Sequence, residues 1–314
     1  MYTYRQIFKQ SMIAFRQDPS LWLFGLFTAM LGNAGGLELI FSSYGFGSEG
    51  IIFAILSGLV SGGLFTKVAI EGLTKAIFAH PIYIFFSILL LLAVFIFSLA
   101  TLWISVVSQT ALIGKIVAIA KNKKLRFREA FRLGVSKFWP ILGINILIRL
   151  VSLILFILIG ALTLLNFTGA IFIFTISFVI ILIMILIVSL VGKYAIFGIV
   201  LENWKFKKSI KEAISIFAKN WWLSLEMAMI LFLIYSAVNL LLIYFISWIL
   251  FLSFKAFALF VSAMALALLI TSVIFVIVQI SLAVFIWGSW AILFEILINK
   301  KFSFVSFLHK IFKQ

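Results

Sequence analysis

Cysteine is absent from this 314-residue sequence, which excludes disulfides, thiolate nucleophiles and cysteine-ligated metals. Histidine occurs twice, as His80 and His309, far apart in sequence and too few to build a histidine metal site. Asp18 is the only aspartate, so the paired aspartates of one class of intramembrane protease are missing too. No phosphate-binding P-loop and no glycine-rich dinucleotide turn after a strand occurs. These gaps leave the catalytic, metal and cofactor assignments empty, and a non-enzymatic protein is expected. Acidic residues are also scarce, nine against 25 Lys and Arg, giving a net charge of +16. A basic balance can signal nucleic acid. Here the cations sit beside long apolar runs, which points to membrane topology and anionic headgroups instead, with no nucleic-acid partner.

What the chain has is apolar surface. It is 65% hydrophobic with a mean hydropathy of +1.31. A soluble domain of this length could not solvate such a surface, so the fold class is an all-α, polytopic helical membrane protein. The N-terminal stretch lacks an apolar core with a small-residue cleavage site and is expected to be retained. Heavy use of Lys, Ile and Phe hints at an AT-rich prokaryote.

The most informative stretch is 195–222, a basic segment between two long apolar runs. Phe206, Ile210, Ala213, Ile214, Phe217 and Trp221 fall on one face of a helix, and Lys207, Lys208, Lys211, Glu212, Ser215 and Lys219 on the other. Such a helix lies in the membrane surface, apolar face toward the acyl chains and lysines near lipid phosphates. Phe127, Phe131, Val135 and Phe138 repeat the spacing, as do Tyr4, Phe8, Met12 and Phe15. Arg132, Lys211 and Lys9 share one register, and Trp139, Trp221 or Trp22 follows each copy. Phe304, Phe307, Leu308 and Ile311 form a partial fourth copy. The apolar runs end on similar segments at Ala111, Ala195 and Ala291, 84 and then 96 residues apart. A repeat of that length is one unit of two crossings plus a surface helix. The quasi-repeats run roughly 1–120, 121–204 and 205–301, with a terminal surface helix at 302–314, all within a single membrane domain.

In chain order, a surface helix is expected at 3–17, with Pro19 and Ser20 opening the next helix. The run 21–31 reaches only about 17 Å and is a short crossing or a re-entrant hairpin, broken by glycines at 32–36. Segment 51–79 carries Gly58 and Gly62 four apart, and Lys67, Glu71 and Lys75 on one face. An outer amphipathic or re-entrant segment is favoured there over a seventh crossing. Further spans are expected at 81–107, 141–165, 170–200, 223–252 and 256–297, with outer turns at 166–169 and 253–255. About six crossings result. Nearly all Lys and Arg fall on one side, so both termini are expected in the cytoplasm of a prokaryotic cell, with the protein in its cytoplasmic membrane.

Ionisable residues within spans are costly and therefore candidates for function. Arg149 and Lys193 lie deepest, and Glu226 and Glu295 lie shallower. Two readings stay open: Arg149 pairs with Glu226 or Glu295, or these residues form a cationic pocket for a lipid phosphate or an anionic solute. Asn145, Asn239 and Gln279 suit interhelical hydrogen bonding. Glu202, with Lys207, Lys208, Lys211, Trp221 and Trp222, forms a candidate anchor for the surface helix.

The run 200–203 (Val-Leu-Glu-Asn), then Lys208-Ser-Ile-Lys-Glu-Ala, Phe217 and Lys219-Asn-Trp-Trp, resembles the membrane domain attached to some bacterial glycerophosphoryl diester phosphodiesterases. The Asp18-Pro-Ser-Leu-Trp-Leu-Phe-Gly run and the glycines of 32–36 are similar to related six-span bacterial proteins. In the bifunctional proteins a separate soluble barrel with a His-Arg pair is catalytic, and nothing here matches it. The resemblance therefore implies a membrane domain without phosphodiesterase activity, and offers no binding residues. The function expected is a scaffold, accessory or lipid-organising module. Its partners are membrane lipids, through anionic headgroups on the cytoplasmic face, and a membrane-protein partner. The alternative is a transporter or flippase for a lipid or small anionic solute.

Overall fold

The computed structural model describes residues 4–31, 81–163, 170–257 and 261–298. Every regular element there is helical: α1 (Tyr4–Gln17), α2 (Ser20–Met30), α3 (Pro81–Ala120), α4 (Phe127–Ser136), α5 (Phe138–Thr163), α6 (Ala170–Leu201), α7 (Phe206–Lys219), α8 (Trp221–Phe257) and α9 (Val261–Ile298). Five of them, α3, α5, α6, α8 and α9, are long and apolar enough to cross a membrane. This is an all-α, multi-pass membrane protein. The expected crossing at 21–31 is the 11-residue α2, about 16 Å long and too short to span by itself. The glycine break at 32–36, segment 51–79, both histidines, the turn at 166–169 and the terminal helix at 302–314 lie outside the described residues. The outer turn expected at 253–255 is helical instead, because α8 continues to Phe257.

Local chemistry explains where the elements start and stop. α2 begins at Ser20, but Ser20 is not its cap. The Asp18 carboxylate accepts from the Ser20 backbone N–H at 3.0 Å and from its hydroxyl at 2.7 Å. Free N–H groups at a helix start are satisfied this way. α3 and α6 each end at an asparagine in the left-handed region, Asn122 and Asn203, both at φ 55°. Asn tolerates that conformation better than other residues with a Cβ. The chain then extends through Arg126 or Lys205 and starts α4 at Phe127 and α7 at Phe206. α5 starts three residues earlier than expected. Pro140 sits in its first turn, where a missing N–H costs no intrahelical bond.

α1, α4 and α7 all join the long helices at one end of the bundle, the basic end. Their buried faces follow one rule. Ile7, Ser11 and Ala14 are buried in α1, Ala130 and Gly134 in α4, and Ser209 and Ala213 in α7. Apart from Ile7, small residues face the bundle, while the aromatic stripes flank the contact line. The expectation that the whole apolar face of α7 meets acyl chains is corrected accordingly. Phe206, Ile210 and Phe217 pack against the protein core, and Ile214, Trp221 and Trp222 face away from it. Small side chains let the surface helices approach closely. A Cβ at Gly134 would collide with the Val107 backbone of α3, and one at Gly288 of α9 with the Ser11 hydroxyl.

The segment 195–222 stands out in the sequence, yet the helix at the centre of the packing is α9. It contacts α1, α2, α3, α6 and α8. Its last third is buried on all sides, from Leu282 through Trp287, Trp290 and Phe294 to Leu297. A helix that is apolar all round suits such a position.

Candidate functional site

One charge deep in a span is Lys193 of α6, nine residues before Glu202 and so about 13 Å of helix from the basic end. It is only 7% exposed. Its ammonium lies 5.1 Å from the centre of the Trp290 ring of α9, a cation–π distance. Trp290 also meets Tyr194 edge-on at 6.0 Å. The Tyr194 hydroxyl shares a 2.7 Å hydrogen bond with Ser224 of α8. Lys193 lines a recess of about 30 Å³ between α6, α8 and α9. The rest of its wall is Leu186, Ser189, Leu190, Ala228, Leu231, Phe232, Tyr235, Ile286 and Trp290. The recess therefore pairs one buried cation with a largely aliphatic and aromatic wall.

The other intramembrane candidates sit elsewhere. Arg149 does not pair with Glu226 or Glu295. Its guanidinium donates at 2.8 Å to the carbonyl of Leu31, at the C-terminal end of α2. The carbonyls at a helix end lack intrahelical partners and carry negative partial charge, so a cation there is favourable. Glu295 pairs with Lys121 at 2.7 Å, tying the end of α9 to the end of α3. Glu226 lies near Tyr4 of α1, whose hydroxyl is buried without a hydrogen-bond partner. Burial and then the neighbouring Glu226 carboxylate push the Tyr4 hydroxyl above its ordinary pKa. None of Arg149, Glu226 and Glu295 lines the Lys193 recess.

The three amide side chains bond between helices. Asn145 of α5 donates to Gln109 of α3 at 2.9 Å, and Gln279 of α9 donates to Asn239 of α8 at 2.8 Å. Such bonds hold helices together in lipid, where burying apolar surface gives no preference for protein over acyl chain.

A second charged pair was, like Lys121–Glu295, not foreseen from the sequence. Lys115 of α3, 3% exposed, meets the Asp18 carboxylate at 2.7 Å and also donates to the Ser20 hydroxyl. The carboxylate is 29% exposed. Burial pushes the Asp18 carboxyl up, but the Lys115 ammonium and the Ser20 hydroxyl and N–H outweigh this and hold it below the ordinary carboxylate range. The pair clamps the α1–α2 junction onto α3. The sequence signal was the solitary aspartate itself, in a chain with very few acids.

At the basic end, Glu202 is exposed in the turn after α6, and Lys207, Lys208 and Lys211 are exposed on α7. Trp22, Trp139, Trp221 and Trp222 also face away from the protein, Trp139 at 76%. Trp22 stacks on Phe15 at 4.9 Å, and Trp221 meets Trp222 edge-on at 5.4 Å. Indole rings collect at the boundary between acyl chains and headgroups. Among the described residues, no group of three Asp, Glu or His side chains could hold a metal ion. No family model, curated protein or solved structure matches this chain.

Proposed function

We propose that this chain is a non-enzymatic module of a prokaryotic cytoplasmic membrane, with both termini in the cytoplasm, that organises anionic lipid through its basic end. One observation carries the reading. α1, α4 and α7 press small residues against the bundle and turn Arg5, Lys9, Arg128, Arg132, Lys207, Lys208 and Lys211 outward, beside exposed tryptophans. This arrangement anchors the helices by packing and leaves their cations for phosphates. Each Lys or Arg near an anionic surface contributes about 1 kcal/mol, and salt weakens it. The resemblance to phosphodiesterase membrane domains agrees with a role in lipid surroundings without catalysis. The three similar surface helices also suit a module built from quasi-repeats, which would present the same lipid-facing motif several times.

The test measures lipid selectivity by spin-labelled phosphatidylglycerol and phosphatidylcholine in reconstituted protein. Wild type should restrict phosphatidylglycerol preferentially, and the Lys207→Gln, Lys208→Gln, Lys211→Gln variant should lose about tenfold of that preference at low salt. Equal selectivity in both proteins refutes the lipid-organising role. A co-purifying membrane protein lost from the same variant would instead support the scaffold reading. The buried Lys193 in its recess favours a second reading, transport or flipping of a lipid or small anion. A scrambling assay in proteoliposomes tests it, and lipid asymmetry that decays no faster than in protein-free liposomes would reject it.

A further inference from the structure

The Lys193 recess is separate from the basic surface, and its chemistry is different. We propose that it is a lateral binding site for a carboxylate-headed amphiphile of the fatty-acid class, with the acid group on the Lys193 ammonium and the chain leaving along α6 and α8. Three observations lead there. First, depth selects the ligand. Lys193 lies about 13 Å along α6 from Glu202, inside the hydrocarbon layer, so a ligand reaching it from the membrane carries its own apolar part. Second, size selects the headgroup. The recess of about 30 Å³ has room for roughly two waters, which is the size of the two carboxylate oxygens. A glycerophosphodiester, with its phosphorus, four oxygens and glycerol, would leave most of its headgroup outside that space, in the apolar layer. Third, the wall selects a chain. Leu186, Phe232 and Tyr235 are half-buried at the rim, and the neighbouring Ile183 and Leu233 face away from the protein.

The helices give this recess a direction. α6 runs toward the basic end and α8 runs away from it. Lys193 and Ala228 therefore lie at the basic-end side of the recess, and Leu186 and Tyr235 lie nearer the opposite end. The Tyr194–Ser224 bond closes the gap between α6 and α8 beside Lys193. α9 packs on both helices and supplies Ile286 and Trp290. A chain bound with its acid group on Lys193 would then extend toward the far end, between residues already suited to acyl contact. Ser189, one turn from Lys193 on the same helix, also lines the recess.

The experiment uses the full-length protein in nanodiscs of neutral phosphatidylcholine, which removes competition from anionic lipid. Equilibrium binding is measured for palmitate, hexadecanol, acetate and phosphatidylglycerol, with thermal unfolding as the check on folding. Palmitate should bind saturably at one site per chain, and hexadecanol and acetate should bind at least about tenfold more weakly, since each lacks one half of the recognition. Lys193→Met should weaken palmitate about tenfold or more, and Lys193→Arg should retain most of the affinity. Ala228→Met keeps the charge and fills the recess, so it should also abolish binding, which protects the test if Lys193→Met folds poorly. The proposal is overturned if wild type does not bind palmitate. It is overturned equally if Ala228→Met binds palmitate as wild type does, or if phosphatidylglycerol displaces palmitate in a Lys193-dependent way.

Discussion

Breaking the Asp18–Lys115 pair should expose an asymmetry that the geometry fixes in advance. Removing one partner of a fully buried ion pair costs about 3–5 kcal/mol, because the survivor stays buried and uncompensated. Here the two partners are not equally buried. Lys115 is 3% exposed and the Asp18 side chain 29%. Asp18→Asn strands a buried ammonium, but its partner was partly open to solvent, so its cost should fall just below that range, about 2–3 kcal/mol. Lys115→Met strands a carboxylate that still reaches solvent and keeps its bonds from Ser20, so about 1–2 kcal/mol is expected. The double variant should cost less than the two single costs added, with a coupling of about 1.5 kcal/mol or more. Thermal unfolding in one detergent, followed by intrinsic fluorescence, gives the cycle. The pair also predicts a pH dependence. The native Asp18 pKa is depressed, so its stabilisation is present at pH values above the ordinary carboxyl value near 4 and disappears as pH falls through the lower native value. Wild type should therefore lose stability in that acid window, and Asp18→Asn should lose less. Additive single variants, or an equal acid response in both proteins, would refute the clamp.

Other consequences follow from the same contacts. Gly134→Ala should destabilise by about 1–3 kcal/mol, because its Cβ meets the Val107 backbone, which cannot rotate away as a side chain can; unfolding of the purified variant measures this. Tyr4→Phe should stay within about 1 kcal/mol of wild type, since the buried Tyr4 hydroxyl makes no hydrogen bond of good geometry and loses only its weak contact with Glu226. The same variant should resist alkaline pH better. The native Tyr4 pKa is raised, so wild type loses stability once pH passes the ordinary tyrosine value near 10 and the unfolded chain releases its proton. Arg149→Gln should cost about 1 kcal/mol through the freed end of α2, and the Arg149→Gln, Glu295→Gln pair should be additive because the two residues do not touch. A double-variant cycle on Asn239 and Gln279 should give a coupling of about 0.6 kcal/mol.

The fold was legible where the signal was local. The shared spacing of Tyr4, Phe127 and Phe206 marks the first residues of α1, α4 and α7. The basic residues placed all three at one end. The packing faces were harder to read, because an aromatic stripe dominates any hydrophobicity pattern while the contact line runs through Ser11, Gly134 and Ala213 beside it. Close approach between backbones depends on small size, which hydrophobicity does not record. The place of α9 was illegible for a related reason. It is apolar on every side, as α6 is, and no periodicity distinguishes a helix surrounded by protein from one surrounded by lipid. Arg149 was misplaced because its acceptor is a main-chain carbonyl, and such acceptors leave no mark in a sequence. Lys115 looked like one more topology charge until the fold brought Asp18 to it.

The distribution of burial explains why the polar contacts stand where they do. Among the described residues, the buried positions of α3, α6 and α9 concentrate toward the basic end, at 105–117, 189–200 and 280–297, while 85–97, 240–245 and 266–270 mostly face away from the protein. Apolar surface cannot hold those basic-end segments together, since acyl chains would cover it as well as a neighbouring helix does. What distinguishes one helix partner from another in that setting is shape and polarity. Gly134 and Gly288 supply the shape, by allowing approach that no larger residue permits. Asp18–Lys115, Lys121–Glu295, Asn145–Gln109 and Tyr194–Ser224 supply the polarity, each linking separate elements. Three of the four lie within the closely packed region, and Lys121–Glu295 ties its basic-end edge. A membrane protein that needs one end rigid for its surface helices, and the other free to meet lipid, would place its costly polar groups in this way.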